Sequence, residues 1–261
     1  MQFLLDSPVS LSFLIVSVIT TSLALAGLYL VRKRYSAEVL KENHEVAAII
    51  FNAFGLFYGV MVAFVVFVTW SGYADATKNL QMEANQVADI FHSAEAFPDP
   101  ARKAMKHALT NYVTSVCDDE LQRMSQGDIA LHSSSALPRL MAIFYQMDEK
   151  SVPNRELYAE TLKRLNDLAQ YRRLRIFAGN DTVPWAVWFV LLIGGVFAVS
   201  YTCFFGMKNI KAQYLLTTTL TVMITQILFL IYVLDHPFAG TSKVSADPLK
   251  EVMAIMQQGK E

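Results

Sequence analysis

The distribution of charge along the chain limits its fold more strongly than any other feature of the sequence. Four runs of roughly 20 or more residues lack Lys, Arg, Asp and Glu, whereas the stretch from 72 to 181 is rich in charge. A helix needs about 20 apolar residues to cross the ~30 Å hydrocarbon core of a bilayer. We therefore predict membrane helices over about 8–31, 46–70, 183–206 and 213–234.

The region between the second and third apolar runs is predicted to be helical. Its apolar residues recur at helical spacing in four segments between 73 and 171, and no segment alternates with the period of two that marks a strand. The first segment contains no Gly or Pro, so we expect it to continue the second membrane helix. Candidate caps open the later segments: Ser133, Ser134 and Ser135 for the third, and Pro153 with Asn154 for the fourth.

The predicted fold class is an all-α membrane protein with four transmembrane helices and a helical extramembrane domain between the second and third. The C-terminal tail ends in a short amphipathic helix with Leu249, Val252, Met253 and Met256 on one side. That helix lies either on the membrane surface or on the middle domain. The predicted organisation is residues 1–70 for membrane helices one and two, 71–182 for the extramembrane domain, 183–235 for membrane helices three and four, and 236–261 for the tail.

Positive charge in the short loops predicts the orientation. The loop after the first span holds Arg32, Lys33, Arg34 and Lys41, and the loop after the third holds Lys208 and Lys211. The positive-inside rule places both loops in the cytoplasm, so the middle domain faces outward. A basic cluster just before the third span, on the opposite side, argues against this orientation, but long loops follow the rule poorly.

The second apolar run carries a stripe of small and polar side chains. Asn52, Gly55 and Gly59 recur at i, i+3 and i+7, on one helix face. Small residues allow two helices to approach closely in lipid, so helix packing is the first interpretation. The second is that this stripe, or the adjacent surface with Phe54 and Phe57, lines an ion path, because apolar constrictions gate by dewetting and an amide offers hydrogen bonds.

Charged residues near the membrane boundary form a second candidate site. Arg172, Arg173 and Arg175 precede the third span, and Asp235 and His236 end the fourth. All five belong to the same side of the membrane, so ion pairs between the two groups are the first expectation. An ion or proton site is the alternative, because His titrates near neutral pH.

The sequence contains no pattern typical of an enzyme or of a nucleic-acid-binding protein. It has no Gly-rich phosphate loop, no Gly-x-Ser-x-Gly elbow and no paired His at metal-ligand spacing. The net charge of −1 gives no reason to expect nucleic acid. Asp118, Asp119 and Glu120 are interpreted as a solvated face of an amphipathic helix. We therefore expect no enzyme activity, no cofactor and no metal site.

Two stretches are specific enough to suggest a family, Asn52–Ala63 (NAFGLFYGVMVA) and Leu234–Gly240 (LDHPFAG). Weaker matches accompany them, at Trp70, Tyr73, Ala76, Glu83-Ala84, Tyr112, Glu120 with Met124, Arg172-Arg173-x-Arg175, and Pro184 with Trp188. In these residues the chain resembles the bacterial bestrophin-like membrane family, from about Val31 to Leu249. It departs from the family pattern at Gly59, where Ala is frequent, and at Leu121, where Trp is frequent.

The resemblance implies an oligomeric channel. The family has no settled activity, but its name refers to bestrophins, which are oligomeric anion channels whose second span lines the pore. It implies that Asn52, Gly55 and Gly59 lie near a pore axis. It also implies a cytoplasmic middle domain, which conflicts with the charge rule; we keep the orientation that the charge rule gives.

The leading hypothesis is a bestrophin-like, oligomeric ion (anion) channel of the bacterial inner (plasma) membrane, with the second membrane helix lining the path. The three arginines would then form a ring that concentrates anions at the mouth. The expected partners are the lipid bilayer, further copies of the chain and a small inorganic ion. The alternative is a non-conducting, membrane-anchored sensor or scaffold whose helical domain binds a partner protein.

Overall fold

The computed structural model of the chain describes residues 8–36, 44–127, 135–147, 152, 154–207 and 209–258, and most of them are helical. The helices are α1 (Val9–Arg34), α2 (His44–Ser93), α3 (Ala101–Ser115), α4 (Leu121–Ser125), α5 (Ala136–Tyr145), α6 (Arg155–Asn180), α7 (Trp185–Phe204), α8 (Ile210–Leu234) and α9 (Asp247–Gln258). A 3₁₀ turn over Ala94–Ala96 follows α2, and a π-helical turn over Val116–Glu120 joins α3 to α4. No strand occurs in these residues, so the prediction of an all-helical chain is confirmed for the described part.

The chain divides into two compact units. The first comprises Met1–Ser71 and Thr182–Asp235, and the second comprises Gly72–Asp181 and His236–Glu261. Helix α2 belongs to both, as its lack of Gly and Pro after residue 72 predicted. Four helices, α1, α2, α7 and α8, are long and apolar enough to cross a membrane.

In the first unit, α1 packs against α8 and α7 through a polar seam. Gln213, Thr217, Thr221 and Thr225 follow one another at every fourth position of α8 and are all buried. The Thr225 hydroxyl lies 3.0 Å from that of Thr20 on α1. Short hydroxyl side chains let the two helices approach closely and hydrogen-bond across the seam, which is how helices associate in lipid.

The second unit is built around an apolar core with residues from every one of its longer helices. Helix α9 contributes Leu249, Val252 and Met256, and it packs against α3. Of the two positions that the sequence left open for the tail helix, the structure thus has it packed on the helical unit between the second and third apolar helices.

Some helix starts follow the capping signals of the sequence. The Asn154 side chain accepts a hydrogen bond from the Glu156 N–H at 2.8 Å, as predicted for the start of α6. Ser135 precedes α5 without a side-chain cap bond. Outside the described residues lie the other predicted helix starts, Ser133, Ser134 and Pro153, and two basic residues of the short loops, Lys41 and Lys208.

Candidate functional site

The small and polar stripe of α2 is not covered by any other described part of the chain. Asn52, Gly55 and Gly59 are exposed. A Cβ added at either glycine would meet no atom within 4 Å, and Phe57 is 76% exposed. Among the described residues, therefore, nothing packs on the stripe. At membrane depth it faces lipid, a second protein surface or water.

An adjacent side of α2 packs against α7. The Phe54 ring stacks on Tyr58 with ring centroids 5.8 Å apart, and it lies 6.5 Å from the Tyr201 ring. The Tyr58 hydroxyl donates to the Leu191 carbonyl at 2.9 Å, and its ring lies against Gly194. Phe54 thus belongs to the packing side, and Phe57 belongs to the uncovered side.

Arg175 is the centre of a buried charge cluster in the second unit, where neither its side chain nor that of Glu83 is exposed. Its Nε donates to Glu83 Oε2 at 2.6 Å, and its Nη2 donates to Glu120 Oε2 at 2.7 Å. The Tyr112 hydroxyl donates to Glu83 Oε1 at 2.6 Å, and Arg172 Nη2 donates to Glu120 Oε1 at 2.9 Å. Two guanidinium groups and two carboxylates therefore neutralise one another in the protein interior.

This cluster corrects the interpretation of the three arginines as a ring of charge. Arg175 is buried and neutralised, so it presents no charge to an ion at a channel mouth. Arg172 is paired as well, and of the three only Arg173 is exposed. The ion-pair interpretation holds for Arg172 and Arg175, but the acids are Glu83 and Glu120.

Burial and charge have opposite effects on the ionisation of this cluster. For Glu120, burial acts to raise the pKa, but the charge of Arg175 and hydrogen bonds from Arg172 and Arg175 outweigh it, so the pKa is lowered. Burial raises the pKa of Tyr112 well above 10, and the charge of Glu83 raises it further. Tyr112 therefore remains a neutral hydrogen-bond donor to Glu83 at physiological pH.

The π-helical turn explains how Glu120 reaches the interior. Residues of an α-helix advance by about 100° each, so an unbroken helix would carry Asp119 and Arg123 on the face of Tyr112. A π turn holds one extra residue and rotates the following chain back by about the same angle. Glu120 and Met124 thereby take that face, and Arg175 Nη1 lies 3.3 Å from Met124 Sδ. Asp119 and Arg123 instead form an ion pair on the surface.

The interpretation of Asp118, Asp119 and Glu120 as a solvated face is therefore wrong for Glu120. Its side chain is only 10% exposed, whereas that of Asp119 is 46% exposed. The sequence did not identify the partners of the arginines, which are Glu83, Tyr112 and Glu120. The one sequence feature that could have connected them is that all three are among the residues on which the family resemblance rests.

Acid is expected to destabilise the second unit partly through Glu120. Its pKa is lower in the folded chain than its ordinary value of 4.5. The stabilisation is therefore complete above pH 4.5 and is lost as the pH falls through the lower, folded-state value. The stability of the Glu120→Gln variant should depend less on pH across this window than that of the unchanged protein. Thermal unfolding between about pH 3 and pH 7 measures the difference. Equal slopes for the two proteins would contradict the assignment.

Asp235 connects the end of α8 to the start of α7. Its side chain is buried, and Oδ1 accepts from the Val183 N–H at 2.7 Å. The Trp188 indole N–H lies 3.4 Å from Oδ2. The carboxylate that the sequence assigned to an ion pair thus receives hydrogen bonds from neutral donors near the start of the third apolar helix. His236, the next residue, begins the C-terminal part of the second unit.

The long apolar helices, with a separate helical unit between the second and third, define the chain as a helical membrane protein. It belongs to the bestrophin-like family, because the model of the bestrophin-like domain matches residues 18–249. No curated protein matches its sequence.

Solved structures of bacterial bestrophin homologues share this fold. A single-residue variant of the homologue from Klebsiella pneumoniae superposes with a TM-score of 0.73 at 10% identity, over 94% of this chain and 99% of that one. Another crystal structure of that homologue gives 0.72 at 11% identity, over 92% and 97%. A variant described as a membrane protein gives 0.75 at 10% identity, over 93% and 97%. At such low identity the likeness extends to the fold alone.

Proposed function

We propose that this chain is one subunit of an oligomeric ion channel whose path runs along the uncovered surface of α2. The observation that carries the proposal is the exposure of Asn52, Gly55 and Gly59 within an apolar helix long enough to cross the membrane. A surface of small and polar side chains gains nothing from contact with lipid. If several subunits surround a common axis, this surface would offer a passing ion the amide of Asn52 and accessible backbone groups at the glycines.

Unpaired amides support assembly of several copies. Asn52 on α2 and Gln226 on α8 are both exposed, and neither has a hydrogen-bond partner among the described residues. An amide facing lipid leaves its donors and acceptors unsatisfied, so polar side chains within spans point toward protein or water. A homo-oligomer would supply both environments, with water at the axis and protein between subunits.

The charge at the mouth is assigned to Arg173, because Arg172 and Arg175 are neutralised within the second unit. We propose anions as the permeant species on this basis and on the family name. We also propose that the protein lies in the bacterial inner membrane with the second unit outside the cytoplasm, as the basic loops at Arg32–Arg34 and Lys211 favour.

Flux from liposomes tests the channel. Replacement of Gly55 by leucine is expected to reduce chloride flux to the level of empty liposomes, because the new side chain projects from the uncovered surface of α2. Gly27→Leu on α1 is the matched control, since its Cβ would also meet no atom within 4 Å. That variant should conduct like the unchanged protein, at equal oligomeric state measured in the same preparation.

Two results would contradict the proposal. Equal effects of Gly55→Leu and Gly27→Leu would exclude the α2 surface from the path. A protein that conducts neither anions nor cations over a range of pH and salt would not be a channel. The membrane-anchored sensor or scaffold would then become the leading hypothesis, with binding to its helical unit as the activity to measure.

A further inference from the structure

An apolar groove opens on the first unit beside the last turns of α7. Its volume is about 450 Å³, and it is lined by Ala47 of α2 and by Val196, Phe197, Tyr201 and Phe205 on the α7 side. Phe197 is 55% exposed and Val196 is 63% exposed, so the groove opens sideways from the helices. Its volume is within the range of roughly 300–1,000 Å³ that small ligands occupy.

Arg32 lies beside the segment that leaves this groove. Its Nη2 donates to the carbonyl of Met207 at 2.6 Å, and Met207 is two residues beyond Phe205. Its Nε donates to Gln213 Oε1 at 2.8 Å, and Nη2 donates to the same oxygen. The N–H of Met207 in turn bonds the Phe205 carbonyl at 2.8 Å, so this turn is compact. The guanidinium is therefore fixed two residues along the chain from Phe205, which lines the groove.

The charge of Arg32 is not compensated within the described chain. Its hydrogen-bond acceptors are an amide and a carbonyl, and none of the ion pairs among the described residues includes it. Arg32 is only partly exposed, and a partly buried charge without a counter-ion is unfavourable. Three further basic side chains are exposed close by, Lys33 and Arg34 at the end of α1 and Lys211 at the start of α8. This end of the unit attracts an anion.

We propose that this site binds one anionic phospholipid, with its phosphate at Arg32 and one acyl chain in the groove of Ala47, Phe197 and Phe205. Nε and Nη2 of Arg32 are occupied by Gln213 and Met207, so the phosphate would be bound by the N–H groups of Nη1 in a charge-assisted hydrogen bond. None of the hydrogen bonds among the described residues uses Nη1, and the exposed basic residues favour a headgroup of net negative charge. Lipid binding at this site does not require ion conduction, so a negative result here would leave the proposed channel untouched, and the reverse also holds.

Lipid binding to the full-length protein in detergent is the test. Phosphatidylglycerol is expected to bind at about one molecule per chain by native mass spectrometry and to raise the unfolding temperature. Arg32→Gln should weaken this binding by about tenfold or more, because the lipid phosphate loses one charge-assisted hydrogen bond. Arg32→Lys should weaken it less, because lysine keeps the charge but loses the hydrogen bonds to Gln213 and Met207 that fix the position of the guanidinium. Lys103→Gln, a basic residue exposed on α3, is the matched control and should bind like the unchanged protein.

Further measurements distinguish the contribution of the groove to lipid binding from the contribution of the charge. Ser200 also lines the groove, and Ser200→Phe should fill it and reduce binding while leaving Arg32 intact. Inorganic phosphate alone should bind more weakly, and phosphatidylcholine should be a poor substitute. Equal lipid binding by the Arg32→Gln and Lys103→Gln variants would overturn the proposal. So would binding of free phosphate as strong as that of the lipid, or no preference for the anionic lipid.

Discussion

Replacement of Arg175 by methionine should lower the stability of the helical unit by about 3–5 kcal/mol, because it leaves buried Glu83 without a counter-charge. Glu83 would keep only the hydroxyl of Tyr112 as a donor in this cluster. Hydrogen exchange of the full-length protein can measure the loss in α3 and α6 directly. The protected amides of these helices should exchange roughly 100- to 4,000-fold faster, since each 1.4 kcal/mol corresponds to tenfold in an opening equilibrium.

The neighbouring arginine provides the control for this experiment. Arg173→Met removes the same charge two residues away from an exposed position and should change stability by no more than about 0.5 kcal/mol. The double variant Glu83→Met with Arg175→Met leaves Glu120 paired with Arg172, so it should recover much of the loss. An Arg175→Met protein as stable as Arg173→Met would show that the buried cluster adds nothing. A double variant as unstable as the sum of the single changes would show that unpaired charge is not the cause.

The sequence predicted the helices well because their signals are local. The continuation of α2 beyond its membrane-spanning part followed from the missing Gly and Pro, and the buried side of α9 followed from the spacing of Leu249, Val252 and Met256. The start of α6 followed from one capping residue, Asn154. Each of these features depends on residues within a few positions of one another.

The buried charge cluster was not predictable in the same way. Arg175 is separated from Glu83 by 92 residues, and pairing at that distance leaves no periodic pattern. The π turn has the composition of an ordinary amphipathic helix, so a constant helical period places Glu120 away from the core. The same limit applies to the α2 stripe. Periodicity groups Asn52, Gly55 and Gly59 on one face, but whether α7 covers that face depends on the tertiary fold.

Replacement of Gly194 by alanine is the second change for which we expect a large effect. The added Cβ would overlap the Tyr58 ring, with Cδ2 at 2.5 Å, and the ring is held by the hydrogen bond from its hydroxyl to Leu191. The ring has to move, so α2 and α7 separate or this bond breaks. Overpacking of this kind costs about 1–3 kcal/mol, and the leucine variant should exceed that range. Thermal unfolding in detergent, followed by tryptophan fluorescence, measures the loss.

Gly27→Ala distinguishes this contact from the general effect of a new methyl group in a membrane helix. Its Cβ would meet no atom within 4 Å, so the substitution should be neutral, or stabilising by about 0.5–1 kcal/mol through higher helix propensity. Combining Gly194→Ala with Tyr58→Leu should cost less than the two single changes added together, because the smaller side chain gives the methyl group room. Strict additivity would mean that the ring does not occupy the space over Gly194. In that case α2 would not contact α7 through Tyr58, and contacts such as that of Phe54 with Tyr201 would have to hold the two helices together.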